Sequence, residues 1–351
     1  MTEIAITLRQ LGPQDGPAFA RVLAASPDTG TIGSAIRFKI DPYRALTSTH
    51  RDTVGVVAET PGHDGFIGGA LIRFGRSQLE GELRPSALLN TLVVHPDFRR
   101  RGVASQVSRW LEQYARHRQG DQGVFWALIQ RNNTGSERTA FKWATEFLGS
   151  RIAVVPLKVS SVPPSRSRSY EVRPPRPEEL DEVAEGLNRF HLDFNFFGPE
   201  SKTSLAAWLD NTPFNSPFRH YRVITDKVGS LLAGVGLAEN YRLRTTLITR
   251  LPAALRLLNL LFRVVPPSGE LREIAVSRFW HAPGQGRAAR HLLQTVRWEW
   301  RERATALVLT TDVRGQLMPL IGLRDRLGKE LASIAVRAPV TCSEGRLCYY
   351  A

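Results

Sequence analysis

The sequence lacks the features of several large protein classes. Its 351 residues include only two cysteines, Cys342 and Cys348, too few for a disulfide framework, so we expect a protein of the reducing cytoplasm. The two cysteines flank a turn around 344–345, which leaves a bridge open without predicting one. Residues 2–6 lack the basic start and long apolar stretch of a signal peptide. The longest apolar segment, 251–267, is interrupted by arginines and is too short to cross a bilayer.

Acidic residues are scarce relative to basic ones. The chain has 47 Lys and Arg against 33 Asp and Glu, a net charge of +14 spread over both halves. This excess favours anionic ligands, although a solvated basic surface would account for most of it. No aromatic and basic RNA-binding motif accompanies the charge, so the sequence does not favour nucleic acid as a partner. We identify no candidate metal ligands.

The order of predicted elements in the first half of the sequence recurs in the second half. A strand, a helix, two strands and a strand-turn-helix occur in order in each half, and Arg9 and Arg173 mark the two starts. A segment rich in Pro, Ser and Arg separates them and is typical of a linker. We therefore predict an N-terminal domain over 1–160, a linker over 161–169 and a C-terminal domain over 170–351, the last with an extra helix near 250–267. We expect that helix to pack on its own chain. The alternatives are a homodimer contact and a role at a membrane surface or an acyl chain.

The most informative stretch is 89–105, LNTLVVHPDFRRRGVAS. A short apolar strand runs into a turn that carries Arg99, Arg100 and Arg101. The turn passes through Gly102 into a helix. A glycine lets the backbone approach a ligand closely, and the free N–H groups and dipole of a helix N-terminus attract anions. The stretch therefore predicts a pyrophosphate site, with a basic turn that binds nothing as the alternative.

The spacing of this turn differs from the commoner phosphate loops. A P-loop ends in Gly-Lys-Ser/Thr, whereas Gly102 is followed by Val103 and Ala104, and the dinucleotide fingerprint needs three glycines. The spacing that remains resembles motif A of the GNAT superfamily of N-acetyltransferases, in which this loop binds the pyrophosphate of acyl-coenzyme A. The matching residues are Val94, Pro96, Arg99, Gly102 and Ala104.

The resemblance implies a fold and a cofactor. The fold is α/β (α+β), with two tandem GNAT-like domains, each a mixed and mostly antiparallel sheet flanked by helices, with splayed central strands. The cofactor is acetyl-CoA, and the implied binding residues are Leu92, Val93, Val94, Arg99, Arg100, Arg101, Gly102, Val103, Ala104, Ser105 and Asn133. Positions 92–94 supply a backbone N–H at a strand bulge. Asn133 contacts the pantetheine amides, or is a helix cap.

Catalytic side chains are harder to assign. Many members of the superfamily carry a glutamate three or four residues before the motif valine, where this chain has Thr91 and Asn90. Neither is a base, but either could hold a water that relays the amine proton, and we name Asn90 as the candidate catalytic residue. Glu80 and Glu82 lie upstream, where we expect a solvent-facing loop. The usual tyrosine acid is replaced by Thr145.

The second half carries a weaker version of the motif over 273–288, at a constant offset of 182 residues. The aligned pairs are Val276 with Val94, His281 with Arg99, Pro283 with Arg101 and Gly284 with Gly102. His281 removes a permanent charge, and Pro283 removes both a charge and a backbone N–H. We therefore expect a degenerate second half with weak or absent coenzyme binding.

Glu273 is evidence against a degenerate second half. It lies three residues before Val276, where the superfamily places a general base, so it is a second candidate catalytic residue beside the alternative of a surface or ion-paired glutamate.

The sequence thus predicts an N-acetyltransferase in which an amine on a small molecule or peptide attacks the thioester of acetyl-CoA directly. The alternative is a non-catalytic acyl-CoA sensor or scaffold with the same fold. The acceptor, the acyl length and a possible homodimer stay open.

Overall fold

The computed structural model describes residues 4–27, 31–165, 167–262 and 265–350. The chain forms two compact units. Unit 1 comprises Met1–Arg151, Thr246–Pro252 and Leu331–Glu344, and unit 2 comprises Ile152–Thr245, Ala253–Glu330 and Gly345–Ala351.

The first segment of unit 1, described over residues 4–27 and 31–151, begins with two strand-and-helix pairs and continues with three strands before its long helix. Its elements are β1 (Thr7–Gln10), α1 (Gly16–Ala25), β2 (Gly33–Phe38), α2 (Pro42–Thr47), β3 (Thr53–Glu59), β4 (Gly68–Leu79), β5 (Glu82–Val94), α3 (Val103–Gln119), β6 (Val124–Gln130), α4 (Thr134–Ala140) and β7 (Glu146–Phe147).

The remaining elements follow in chain order. They are β8 (Ile152–Lys158), β9 (Glu171–Arg173), α5 (Leu180–Phe190), β10 (Phe194–Asn195), α6 (Lys202–Asp210), β11 (Arg219–Thr225), β12 (Leu231–Ala238), α7 (Asn240–Leu243), β13 (Arg244–Arg250), α8 (Ala253–Phe262), β14 (Glu270–Leu271), β15 (Glu273–His281), α9 (Gly286–Glu299), β16 (Ala306–Asp312), α10 (Leu323–Leu327), β17 (Glu330–Arg337) and β18 (Leu347–Cys348). Short 3-10 turns occupy Pro13–Asp15, Pro96–Phe98, Pro177–Glu179 and Met318–Leu320.

The two units have sheets of the same topology. In unit 1 the strand order is β1-β3-β4-β5-β6-β17, and in unit 2 it is β9-β11-β12-β15-β16-β8. All neighbours are antiparallel except β5 with β6 and β15 with β16, which are parallel. The predicted repeat is therefore present in the strand pairing as well as in the order of elements.

Each sheet is completed by a strand from the other half of the sequence. β17, near the end of the chain, pairs with β6 in unit 1, and β8, which follows the first half directly, pairs with β16 in unit 2. The compact units therefore differ from the predicted division into 1–160 and 170–351, because strand pairing joins segments far apart in the sequence. The predicted linker, 161–169, includes position 166, which lies outside the described residues; its other residues form neither helix nor strand.

The long helix α3 is formed and oriented by an apolar stripe at four-residue spacing. Val103, Val107, Leu111 and Ala115 are all buried in the core of unit 1. Residues four apart lie on one helix face, so this stripe packs the helix against the sheet. α3 ends at Gln119, and the next residue, Gly120, has a φ of +71°, which suits a residue without a Cβ. The packing fixes the N-terminus of α3 beside the end of β5.

An ion pair repeats at the start of each unit. Arg9 makes two hydrogen bonds to Asp15, at 2.7 and 2.9 Å, and Arg173 makes two to Glu179, at 2.7 and 2.6 Å. In each case the carboxylate also accepts a backbone N–H three residues upstream. Hydrogen bonds from the paired arginine hold the pKa of Asp15 below its ordinary value and lower that of Glu179 to about 2.

We expect Glu179→Gln to reduce the free energy of unfolding of unit 2 by about 2 kcal/mol, because it removes a charge-assisted pair. The carboxylate pKa falls from 4.5 to about 2 on folding. Its contribution is therefore full above pH 4.5 and is lost as the pH falls toward 2. Urea unfolding of both proteins across this range measures it. A difference that stays constant down to the acid end would contradict the ionic account.

The predicted extra helix is α8. It begins at Ala253 and ends at Phe262, shorter than the predicted 250–267, and positions 263 and 264 lie outside the described residues. Leu257 and Leu260 on this helix are 64% and 71% exposed. Within the described ranges, every helix is too short or too polar to cross a membrane, and no cluster of three or more His, Cys, Asp or Glu side chains could share a metal ion.

Candidate active site

Strand β5 contains a bulge at the end that leads into the basic turn. Gly69 of β4 pairs with Val93, but Leu71 pairs with Asn90, so Thr91 and Leu92 together oppose a single residue. Thr91 has a φ of +56°, an uncommon value for a β-branched residue. Such strain concentrates at functional sites, and a bulge releases backbone groups from the strand ladder. The bulge overlaps the predicted position, 92–94.

A gap opens in the sheet beside this bulge. β5 and β6 pair only from Ser86 to Leu89, against Val124–Ala127. Beyond that point β5 continues along β4, while β6 pairs along its other side with β17. Ligands of α/β sheets bind beyond the carboxyl ends of parallel strands where neighbours separate. Asn90 is the first residue of β5 past the parallel pairing, so it lies at the opening.

The turn from β5 to α3 has the geometry of an anion site. Arg100 has a φ of +63°, and Gly102, the residue before α3, has a φ of +85°. The first turn of α3 has no side-chain cap among the described residues, which leaves its N–H groups for a ligand. Arg99 and Arg101 are exposed, and the Arg101 guanidinium carbon lies 5.5 Å from the centre of the Phe98 ring.

The cradle has space for a ligand. A Cβ placed on Gly102 would lie more than 4 Å from every described atom outside its two chain neighbours. Val103 is only 1% exposed and packs into the core, so its part in the site is limited to its backbone. Ala104 and Ser105 follow on the first turn and are half-buried. The residues present therefore fit a pyrophosphate.

Two further residues belong to this site and were not predicted. Lys142 donates a hydrogen bond from Nζ to Oγ of Ser105 at 2.7 Å, which adds a cation beside the first turn of α3. Ser26, after α1, donates to the carbonyl oxygen of Val94 at 2.9 Å, and Arg99 donates to the same oxygen at 3.4 Å. No local sequence pattern marks either contact, since each joins segments far apart in the chain.

Asn133 is a helix cap in this structure. Its side-chain oxygen accepts the backbone N–H of Ser136 at 3.2 Å, at the start of α4. The cap fixes the direction in which the chain leaves β6, beside the gap in the sheet. A contact from Asn133 to pantetheine stays a prediction.

The carboxylates upstream of the bulge lie at the far end of their strand. Glu82 begins β5 and precedes Asn90 by eight residues, about 26 Å along an extended strand. Glu80 accepts the backbone N–H of Ser343 at 2.9 Å, and Glu82 is paired with Arg84. Glu80 lies in the turn before β5, as the loop interpretation predicted, whereas Glu82 is exposed but belongs to the strand itself. Thr145, at the position of the usual tyrosine, donates both its backbone N–H and its hydroxyl to the carbonyl oxygen of Val336.

Unit 2 contains the same bulge and a shorter turn. Gly234 pairs with Trp280 and Gly236 with Ser277, and Arg278 between them has a φ of +50°. β15 then ends at His281, and α9 begins only five residues later.

The predicted offset of 182 residues is therefore right for the two glycines but wrong for the strands. His281 occupies the strand end, as Val94 does in unit 1, rather than the position of Arg99. Gly102 and Gly284 both have positive φ, but Gly102 follows the end of its strand by eight positions and Gly284 by three, so the strand residues are displaced by five.

The displacement by five residues also changes the position in unit 1 to which Glu273 corresponds. It is the first residue of β15 and pairs with Ala306, five residues before Arg278 and about 16 Å from it along the strand. A catalytic role for Glu273 is untested, but the structure places it away from the bulge. Asn90 in unit 1 directly precedes the corresponding bulge.

The comparisons with known proteins agree with this geometry. Residues 33–141 match the model of the acetyltransferase (GNAT) family. The chain has the GNAT fold. The GCN5-related N-acetyltransferase from Sphaerobacter thermophilus is 15% identical with a TM-score of 0.59, and the match covers 97% of this chain and 98% of that one. No curated protein matches the sequence.

Two other solved structures are similar to this chain. One is a tandem GNAT protein, and the other was solved with an acyl-CoA that has a long acyl chain. A tandem GNAT protein from the clavulanic acid biosynthesis pathway is 12% identical with a TM-score of 0.58, over 96% of this chain and 100% of that one. N-myristoyltransferase of Saccharomyces cerevisiae, solved with myristoyl-CoA, is 10% identical with a TM-score of 0.60, over 95% and 79%. Identities this low show the fold alone. The predicted fold class, two tandem GNAT-like domains, is confirmed.

Proposed function

We propose that this chain is an acyl-CoA-dependent N-acyltransferase that uses acetyl-CoA and binds it in unit 1. The observation that carries the proposal is the conjunction of the bulge at Thr91, the opening between β5 and β6, and the uncapped start of α3 behind Gly102. A thioester, a pantetheine arm and a pyrophosphate require these three features in this order. Unit 2 has the first two but a turn without the three arginines, which supports a single site.

The coenzyme supplies a thioester-activated acyl group. The nitrogen of a neutral amine forms a bond to the acyl carbon, the carbon–sulfur bond breaks, and the thiolate leaves and takes up a proton. Backbone N–H groups released at the bulge stabilise the negative charge that develops on the carbonyl oxygen. The arginines and the α3 N-terminus hold the pyrophosphate, which fixes the thioester at the opening.

We assign Asn90 a role in removing the proton from the attacking amine. Its amide and the Thr91 hydroxyl are hydrogen-bonded to each other at 3.3 Å at the mouth of the opening. Neither group is a base, so the proton leaves through a water that Asn90 positions. We expect Asn90→Ala to reduce kcat about tenfold with little change in the KM for acetyl-CoA, measured by thiol release. An equal rise in KM would assign Asn90 to coenzyme binding instead.

The arginines of the turn are expected to act through affinity. Arg99→Ala should weaken acetyl-CoA binding about tenfold, because it removes one charge-assisted contact to phosphate. Arg109, exposed on α3 two turns further along, gives the control Arg109→Ala, which should leave affinity within a factor of two. Calorimetric titration measures both. Equal losses in the two variants would indicate a general effect of surface charge.

A non-catalytic acyl-CoA sensor is the second candidate. It is favoured by Asn90 at the position of the usual glutamate and by Thr145, whose hydroxyl is engaged with a backbone carbonyl. Single-turnover reactions of the acetyl-CoA complex with a panel of primary amines separate the two candidates. Transfer to an amine supports the enzyme, whereas tight binding with only the background rate of hydrolysis supports the sensor.

A further inference from the structure

The C-terminal segment of the chain, 345–350, lies inside unit 2 as an added strand. Its strand β18 pairs in parallel with β10, Leu347 with Phe194 and Cys348 with Asn195. The pairing continues beyond the strand, because the backbone N–H of Tyr349 donates to the carbonyl oxygen of Asn195 at 2.9 Å. We call this segment the tail.

The tail reaches the place where the sheet of unit 2 opens. The parallel pairing of β15 with β16 ends at Val276 and Leu309, as the pairing of β5 with β6 ends in unit 1. Past this point the backbone N–H of Cys348 donates to a carboxylate oxygen of Asp312 at 3.0 Å, at the end of β16. Asp312 is fully buried and is also paired with Arg314. One side of the opening is thus held by the tail.

The tail also contacts β15, on the other side of the opening, through the side chain of Tyr349. The backbone N–H of Arg278, the residue with positive φ in the β15 bulge, donates to the Tyr349 hydroxyl at 3.3 Å. The Arg278 carbonyl accepts from the hydroxyl of Tyr221 at 2.9 Å. Both backbone groups of the bulge residue are therefore satisfied by tyrosines of the same chain. In the GNAT fold this is where a thioester carbonyl would need a donor.

The packing around Tyr349 leaves no room for a pantetheine arm. The rings of His191 and Phe197 lie 4.9 and 5.1 Å from the Tyr349 ring, each nearly perpendicular to it. Between the tail, β15 and β16 there is a cavity of about 20 Å³, enough for about one water molecule. Cys348 is 1% exposed. The opening past the paired ends of β15 and β16 is therefore filled by the chain itself.

We propose that the tail occupies the second cleft in the position of a pantetheine arm and so confines acyl-CoA to unit 1. The inference rests on the proposed function, since the ligand excluded from unit 2 is the one assigned to unit 1. It gives unit 2 a latent cleft for a pantetheine-bearing ligand, closed by Tyr349.

The first test follows the tail itself and needs no acyl-CoA. In the native full chain, Cys348 should react with a thiol reagent at least tenfold faster in Tyr349→Ala than in the wild type, while Cys342 in unit 1 reacts at the same rate in both. Tyr349→Phe keeps the ring and should change the Cys348 rate much less. Fast labelling of Cys348 in the native wild type, or equal rates in Tyr349→Ala, would overturn the docked tail.

The second test asks what the opened cleft admits, with coenzyme A as the probe and Gly102→Glu present to disable the pyrophosphate site in unit 1. The full chain with Gly102→Glu should not bind coenzyme A. Adding Tyr349→Ala to this variant, or ending its chain at Glu344, should restore coenzyme A binding at one site per chain, in unit 2. Folded variants of both kinds that bind none would overturn the proposal, as would binding by Gly102→Glu alone. Failure of the wild type to bind acetyl-CoA would instead count against the proposed function, and leaves the labelling result standing.

Discussion

The Gly102→Glu variant is expected to lose acetyl-CoA affinity by at least 100-fold while it keeps its fold. Gly102 precedes the first turn of α3, with a φ of +85° and open space where a Cβ would be placed. A glutamate there directs a carboxylate into the site proposed for the pyrophosphate. The carboxylate repels the negatively charged phosphates, and it offsets the positive charge of the three arginines that would attract them. Calorimetric titration of the full chain measures the loss.

The matched control is Gly102→Gln, which has the same bulk and the same backbone strain. An L residue at this φ costs about 1–2 kcal/mol, so both variants should unfold at similarly reduced temperatures. Only the glutamate adds a negative charge, so we expect the glutamine to weaken binding about tenfold. Affinity within threefold of the wild type in a folded Gly102→Glu protein would show that the coenzyme does not bind at this turn.

Unit 2 is expected to lose stability steeply below neutral pH because of His191. Its ring is buried, stacks on Phe197 at 4.6 Å and contacts the carbonyl oxygen of Leu187 through Nδ1 at 3.0 Å. Burial lowers the pKa of His191 from 6.5 to about 3, although the hydrogen bond to Leu187 opposes the shift. The unfolded chain therefore takes up a proton that the folded chain does not. Stability present above pH 6.5 is lost as the pH falls toward 3.

The expected size is up to about 1.4 kcal/mol of unfolding free energy for each pH unit in this window. His191→Phe, which keeps an aromatic ring, and His191→Gln should both reduce the slope by that amount whatever they do to stability at pH 7. Hydrogen exchange of peptides covering 180–197, from pH 7 to pH 4, reports on the unit concerned. Equal slopes in the wild type and both variants would show that His191 is not a buried neutral group.

Local patterns in the sequence were enough to predict the strand, turn and helix start at which we propose the anion site. The strand, the basic turn, Gly102 with positive φ and the start of α3 all lie within 89–105, where short-range chemistry determines the geometry. The fold class and the repeat also followed from local order. The second half was misaligned by five residues along its strand, because a shared glycine fixed the offset and a shorter turn is invisible without the strand register.

Contacts between distant segments could not be predicted. The hydrogen bond from Lys142 to Ser105 and the placement of Tyr349 against Arg278 depend on the folded sheet rather than on any motif. The exchange of β8 and β17 between the halves has the same origin, since a strand's own residues do not specify which edge it joins. Assignment of the compact units therefore required the structure.

The measurement that tests the central claim most directly is hydrogen–deuterium exchange of the full chain with and without acetyl-CoA. Binding in unit 1 should protect two segments, 92–105 at the bulge and turn and 130–136 at the end of β6 and the start of α4. The corresponding segment of unit 2, 277–288, should exchange at the same rate in both states. Protection of 277–288, or of neither unit at saturating acetyl-CoA, would contradict a single acyl-CoA site at Gly102.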